Sequence, residues 1–173
     1  VSLLIAHQPT LRDALATLIH YRHLINPTLS MRIENHAELS IIREELAVSG
    51  GTSSRQASEL LLAVLLRFFR TMLGEDWSPL SVSFVHSPPS NLSDHRRIFR
   101  STLEFNSAAS AIVCKSSDLD RPNPQANAAL ATHARQFIET QARSKPLSIT
   151  DEVRQTIILI LPTGGASIEV VAQ

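Results

Sequence analysis

From Leu60 to Phe69 the chain reads Leu-Leu-Leu-Ala-Val-Leu-Leu-Arg-Phe-Phe, a run with Arg67 as its one charged residue. It is too short and too closely flanked by charge to cross a bilayer, which takes about 20 consecutive apolar residues. A capping box of Ser53 with Gln56 opens a helix here and Gly74 stops it. Apolar on nearly every side, that helix has to be covered by the rest of the chain and is expected at the buried centre of the fold. With 173 residues, 43% of them hydrophobic and 18% charged, the chain is long enough to supply that cover within one domain.

The surrounding pattern mixes two periods. Thr10 caps a helix whose Leu11, Ala14, Leu15, Leu18 and Ile25 keep roughly 3.6 spacing until Asn26-Pro27. Leu29, Met31 and Ile33 alternate with polar residues, and after a turn-like Glu34-Asn35-His36 the run Leu39 to Leu46 reads as the partner strand of a hairpin. Leu80, Val82, Phe84 and His86 alternate with Ser81, Ser83 and Val85, a half-buried strand ended by Pro88-Pro89. A short helix follows with Leu92, His95, Ile98 and Phe99 on one face, then strands at Leu103-Glu104-Phe105 and Ala111 to Cys114. Asn123-Pro124 opens a helix through about Arg143, its core face expected to be Leu130, Ala134, Phe137 and Ile138. A further helix capped by Ser148 or Thr150 carries Val153, Ile157, Ile158 and Leu161 to Pro162. The expected class is α+β: a small mixed or antiparallel sheet packed against the long helix, with linker helices at the C-terminal end.

Sixteen basic and sixteen acidic residues give a formal net charge of zero, without the basic footprint of a domain that grips nucleic acid unaided. The single cysteine, Cys114, excludes an internal disulfide and Cys-rich zinc motifs, and fits a reducing cytoplasm. His20 and His23 sit three apart on a helix, but no third ligand is placed by sequence, so a polar helix face is the plainer reading and no metal is assigned. No serine lies in a Gly-x-Ser-x-Gly elbow, and Gly50-Gly51 carries no P-loop lysine. No nucleophile, base and orienting group assemble, and neither catalysis nor a cofactor is expected. The cluster His95-Arg96-Arg97 with Arg100 can hold a phosphate or can be the wet face of a helix. His86 shares a face with Val82 and Phe84, where its polar tip needs either a structural partner or a ligand. Arg32 and Arg43, on facing hairpin strands, can receive a carboxylate or can simply be solvated.

Three ordered stretches carry a resemblance. The first is Gln8-Pro9-Thr10-Leu11-Arg12-Asp13-Ala14-Leu15, followed by Tyr21-Arg22-His23-Leu24. The second is Arg55-Gln56-Ala57-Ser58-Glu59-Leu60 through Trp77-Ser78-Pro79 to Val82, Phe84, His86 and Pro89. The third joins Phe99 and Leu103-Glu104-Phe105 to Leu119-Asp120-Arg121-Pro122. Together they resemble the effector domain, labelled arabinose-binding, that precedes the DNA-binding region in a large branch of the AraC/XylS transcription regulators. The segment Gly165 to Ala172 is similar to the opening of the first helix of those regulators' helix-turn-helix region.

The resemblance implies an effector-sensing domain over 1–145, a linker helix over 146–164, and the first turns of a truncated helix-turn-helix domain over 165–173. It implies a bacterial, cytoplasmic homodimer that binds a small organic effector of unknown class and acts on DNA through helices absent from this chain. No membrane is involved. The expected ligand-binding residues are His86, Phe84, Arg32 and Arg43; none is assigned to DNA or to metal. The alternative is a protein-interaction or dimerisation module without a small ligand. For that role the Ala-rich helix Asn127 to Ala142 offers small residues that permit close helix approach.

Overall fold

A computed structural model describes residues 1–26, 28–46 and 54–144. Ser53 and the Gly50-Gly51 loop, the expected linker helix and the expected helix-turn-helix start therefore lie outside the described residues. In chain order the elements are α1 (Ser2–Ala6), α2 (Leu11–His20), a 3-10 turn (Arg22–Leu24), β1 (Leu29–His36), β2 (Leu39–Leu46) and α3 (Ser54–Leu73). Then come β3 (Ser81–Ser83), α4 (Ser93–Phe99), β4 (Thr102–Glu104), β5 (Ser110–Lys115), α5 (Ser116–Leu119) and α6 (Ala128–Ser144). The strands form one sheet in the order β1-β2-β5-β3-β4, antiparallel except for the parallel pair β3 and β4. The α+β class and its mixed sheet are as expected.

Helix α3 is buried along one stripe, Leu62, Leu65, Leu66, Phe69, Met72 and Leu73, the three-and-four spacing of a helix laid on a surface. Leu60 and Val64 are 65% and 54% exposed, which corrects the expectation of burial on nearly every side. The stripe meets Val82, Phe84, Ile112 and Ile42 from the sheet and Leu11 and Leu15 from α2. Its C-terminal end is closed by Gly74 at φ +109, by Arg121 donating to the Leu73 carbonyl at 3.0 Å, and by Phe69 against Trp77. Arg70 reaches on to the Ile98 and Phe99 carbonyls at 2.9 and 3.2 Å, tying α3 to the end of α4.

Several boundaries differ from the pattern reading. The first hairpin turns at Ala37-Glu38, with Ala37 at φ 47, and Glu34-Asn35-His36 belongs to β1, because Ser40 and Arg12 both donate to the Asn35 side chain and hold it in the ladder. The Thr10-capped helix ends at His20, and Ile25 is exposed beyond the 3-10 turn. Asn123 does not cap a helix. Its side chain donates to the Ala6 and Gln8 carbonyls, both at 2.9 Å, and the true cap is Asn127, which accepts from Leu130 N at 3.0 Å. Helix α6 therefore starts later and packs Ala134 and Ile138 on Leu4 of α1, while Leu130 and Phe137, one stripe round, are 40% and 62% exposed.

The segments Pro9 to Leu15 and Leu119 to Pro122 meet: Arg12 forks onto both Asp120 oxygens at 2.6 and 3.0 Å. Phe69→Ala is expected to lower the unfolding free energy by about 3–5 kcal/mol and Val64→Ala by less than about 1 kcal/mol, as read by urea denaturation.

Candidate functional site

Strand alternation divides the sheet into two faces. Met31, Glu44 and Ser110 lie in register across β1, β2 and β5 on the face that α3 covers, continuing the parity of Ile42 and Ile112. Arg32 and Arg43 face one another in the next register position, on the opposite face. Where β1 begins and β2 ends, the first turns of α3 stand over the sheet's end and leave a cavity of about 480 Å³. Arg32 and Arg43, Glu44, Arg55 and Ser58, His86 and Ser110 border it, together with the small residues Ala108 and Ala109.

Three of the four anticipated residues thus come together. Phe84 does not: it is fully buried behind His86, stacked on Phe105 at 5.1 Å, and supports the cavity wall without bordering the space. The arginine pair already has a carboxylate. Glu34 accepts from Arg43 Nε at 2.9 Å and stands 3.1 Å from Arg32 Nε. Partial burial opposes the charge on Glu34, but the Arg43 hydrogen bond and the two guanidinium charges outweigh it and hold the carboxyl below its usual range.

His86 closes one end of the cavity within an aromatic and ionic cluster. Its Nδ1 donates to the Ser87 carbonyl at 2.9 Å, since a carbonyl can only accept. Its Nε2 and that of His95 each stand 3.1 Å from Glu59 Oε1, without the alignment of a formed hydrogen bond, and Arg55 Nε donates to the same oxygen at 3.1 Å. Burial works against the Glu59 charge, but the adjacent His95 ring and the hydrogen bond and charge of Arg55 prevail, so this carboxyl is held below its usual range. His95 is thereby separated from the arginines that flank it in sequence. Arg97 points out to Asp94, and Arg100 to the Glu75 carbonyl, so no phosphate cradle forms.

Glu44 is the other carboxylate of the site and its situation is the reverse. It is 5% exposed; its Oε1 accepts a short hydrogen bond from Ser58, whose hydroxyl lies 3.0 Å from that of Ser110. Its Oε2 is buried without a partner. Burial raises its pKa, the two serines offset this only in part, and the neighbouring Glu45 charge adds to the rise. No signal for Ser58 or Ser110 stands out in the sequence. Glu44 does leave one, because it is a carboxylate at the buried parity of its strand, two residues after Ile42.

Among the described residues, no group of three or more His, Cys, Asp or Glu side chains is placed to hold a metal ion. His20 is paired with Tyr21, edge to face at 4.6 Å. Cys114 is fully buried, and burial, then the Asp118 charge, push its pKa up to about 12, leaving no thiolate nucleophile at neutral pH. No described helix is long and apolar enough to cross a membrane.

The described residues thus form a mixed sheet roofed by one long helix, with a cavity of mixed polar and apolar lining at the sheet's end. The matching family model is the N-terminal arabinose-binding domain of AraC transcription regulators, over residues 1–123, and the chain belongs to that family. The fold is similar to that in the crystal structure of the transcriptional regulator CdpR from Pseudomonas aeruginosa, with a TM-score of 0.64 at 13% sequence identity. That match covers 95% of this chain and 54% of the CdpR chain, so the chain spans about half the length of that regulator. No curated protein matches the chain.

The two carboxylates make opposite predictions. Glu44 has a raised folded-state pKa, so it costs nothing below its unfolded pKa and destabilises once pH exceeds its folded pKa. Glu44→Gln should match the parent near pH 4 and melt a few degrees higher at neutral pH. Glu59 has a lowered pKa, so its stabilisation is present above the unfolded pKa and is lost as pH falls through the folded one. Glu59→Gln should melt lower at neutral pH, with the gap closing on acidification; thermal melts across pH read both.

Proposed function

We propose that this chain senses a small organic effector in the cavity under the first turns of α3, and that occupancy biases DNA binding by helix-turn-helix units beyond the domain. The observation that carries this reading is the convergence of Arg55, Ser58, His86, Glu44 and Ser110 on one 480 Å³ space. A concave site of this size with a few directed polar groups is what small-ligand recognition requires. Membership of the family supports the regulatory setting proposed here: bacterial, cytoplasmic, and coupled to DNA through a further domain. Arg32 and Arg43 belong to the cavity rim in this reading, with Glu34 as their partner when no ligand carboxylate is present, and His86 closes the far wall.

A ligand that binds only the folded state stabilises it by mass action, by about 2.7 kcal/mol at a concentration one hundred times its Kd. Thermal melts against amino acids, organic acids and sugars should give a concentration-dependent rise for one chemical class. Ala108→Trp, which fills the cavity mouth from an exposed position, should abolish that rise without lowering the melting temperature of the unliganded chain. A rise that survives Ala108→Trp would place the ligand elsewhere.

Self-association through α6 is a compatible second role, favoured by the exposure of Leu130 and Phe137 seven residues apart on one stripe. Phe137→Glu should shift sedimentation toward monomer by tenfold or more in dissociation constant, on the order of 1.4 kcal/mol for one exposed aromatic anchor lost.

A further inference from the structure

The cavity's buried carboxylate states what its occupant must bring. Glu44 Oε2 is enclosed, carries no hydrogen bond, and belongs to a cavity-lining side chain that is 5% exposed. Among the described residues the groups around it are the hydroxyls of Ser58 and Ser110 and the like charge of Glu45, and no cation of theirs offsets it. A buried acceptor left open in this way is unfavourable unless something donates to it. The protein's own cations are committed to other carboxylates: Arg43 and Arg32 to Glu34, and Arg55 to Glu59. The donor therefore has to arrive with the ligand.

The same three arginines border the cavity. Arg32 and Arg43 stand on the opposite face and are neutralised by Glu34, but Arg55 gives only its Nε to Glu59 and can offer its terminal nitrogens to a ligand carboxylate, so an amine bearing a carboxylate fits. We propose that the effector is a small amino carboxylate of the amino-acid class, its ammonium group donating to Glu44 and its carboxylate turned to Arg55. This rests on the cavity being the effector site. Ser58 and Ser110 are positioning residues in this arrangement, because they hold the Glu44 carboxyl with one oxygen bonded and the other open.

The test uses the whole 173-residue chain and three matched sets of probes: the twenty L-amino acids, 2-hydroxy acids bearing the same side chains, and primary amines lacking the carboxylate. Affinities come from isothermal titration and are checked by thermal melts. At least one amino acid should bind, with its hydroxy-acid and amine counterparts weaker by roughly 30-fold or more. Glu44→Gln keeps the size of the side chain and its acceptor for Ser58, and should cost a similar factor while its circular dichroism and unliganded melting temperature show an intact fold. Hydroxy acids binding as well as amino acids, or Glu44→Gln leaving the amino-acid affinity unchanged, would overturn the ammonium assignment. If such binding remains sensitive to Ala108→Trp, the cavity reading survives that failure; if an amino acid binds and Ala108→Trp has no effect, the cavity reading itself is wrong. Binding by none of the three sets overturns the amino-acid class, and the sugar and organic-acid melts then decide the cavity.

Discussion

A sheet with one apolar face needs a cover as long as itself, and α3 is that cover. Its buried stripe from Leu62 to Leu73 lies over Ile42, Ile112, Val82 and Phe84, each side chain contributing on the order of 1.5–3 kcal/mol when removed from water. The stripe is anchored at the Phe69 end by Trp77 and the Arg70 contacts, so the helix cannot slide along the sheet without breaking that end. Position at the other end follows from it. The first turns overhang the sheet, where Arg55, Ser58 and Glu59 project beyond the last large apolar residue of the stripe. The cavity is thus a by-product of where the helix stops having apolar residues to bury.

Two glutamates sit within this overhang and have been given opposite surroundings. Glu59 gathers an arginine and two imidazoles about one oxygen, so its charge is supported from several directions. Glu44 sits on the sheet below with only hydroxyls for company. The contrast is one of supply: α3 and α4 can both reach Glu59, whereas the side chains nearest Glu44 are the short Ser58 and Ser110. A hydrophobic residue at a position with Glu44's burial would cost the domain less, and the proposed contact with a ligand is what would offset that cost.

Much of the fold was legible because period and burial agree. The Thr10 cap and the hairpin parity follow from residues a few positions apart, whereas the strand expected to run on to His86 stops at Ser83. What was missed depends on contacts between distant segments. Asn123 looks like a helix cap until its amide is seen bridging the Ala6 and Gln8 carbonyls, and Phe137 looks like core until α1 selects Ala134 and Ile138. At the site, sequence brought forward His86, Arg32 and Arg43, and His95 only within an arginine cluster, but not its meeting with Glu59, which needs α3, α4 and the segment after β3 to be assembled first. Phe84 shares the face of His86 yet lies behind the cavity wall, because parity gives the face of a side chain and not its depth.

The cavity wall is built largely from the beginnings and ends of elements: the first residues of β1 and β5, the last of β2, and the opening turns of α3. Such positions sit outside the stripe that stabilises the domain, so most of them can be exchanged at little cost to folding. On the proposed reading, a lineage carrying this scaffold is free to drift from one small molecule to another by altering a few wall residues, with the helix-on-sheet core left as inherited. Divergence in what is sensed can therefore run far ahead of divergence in shape.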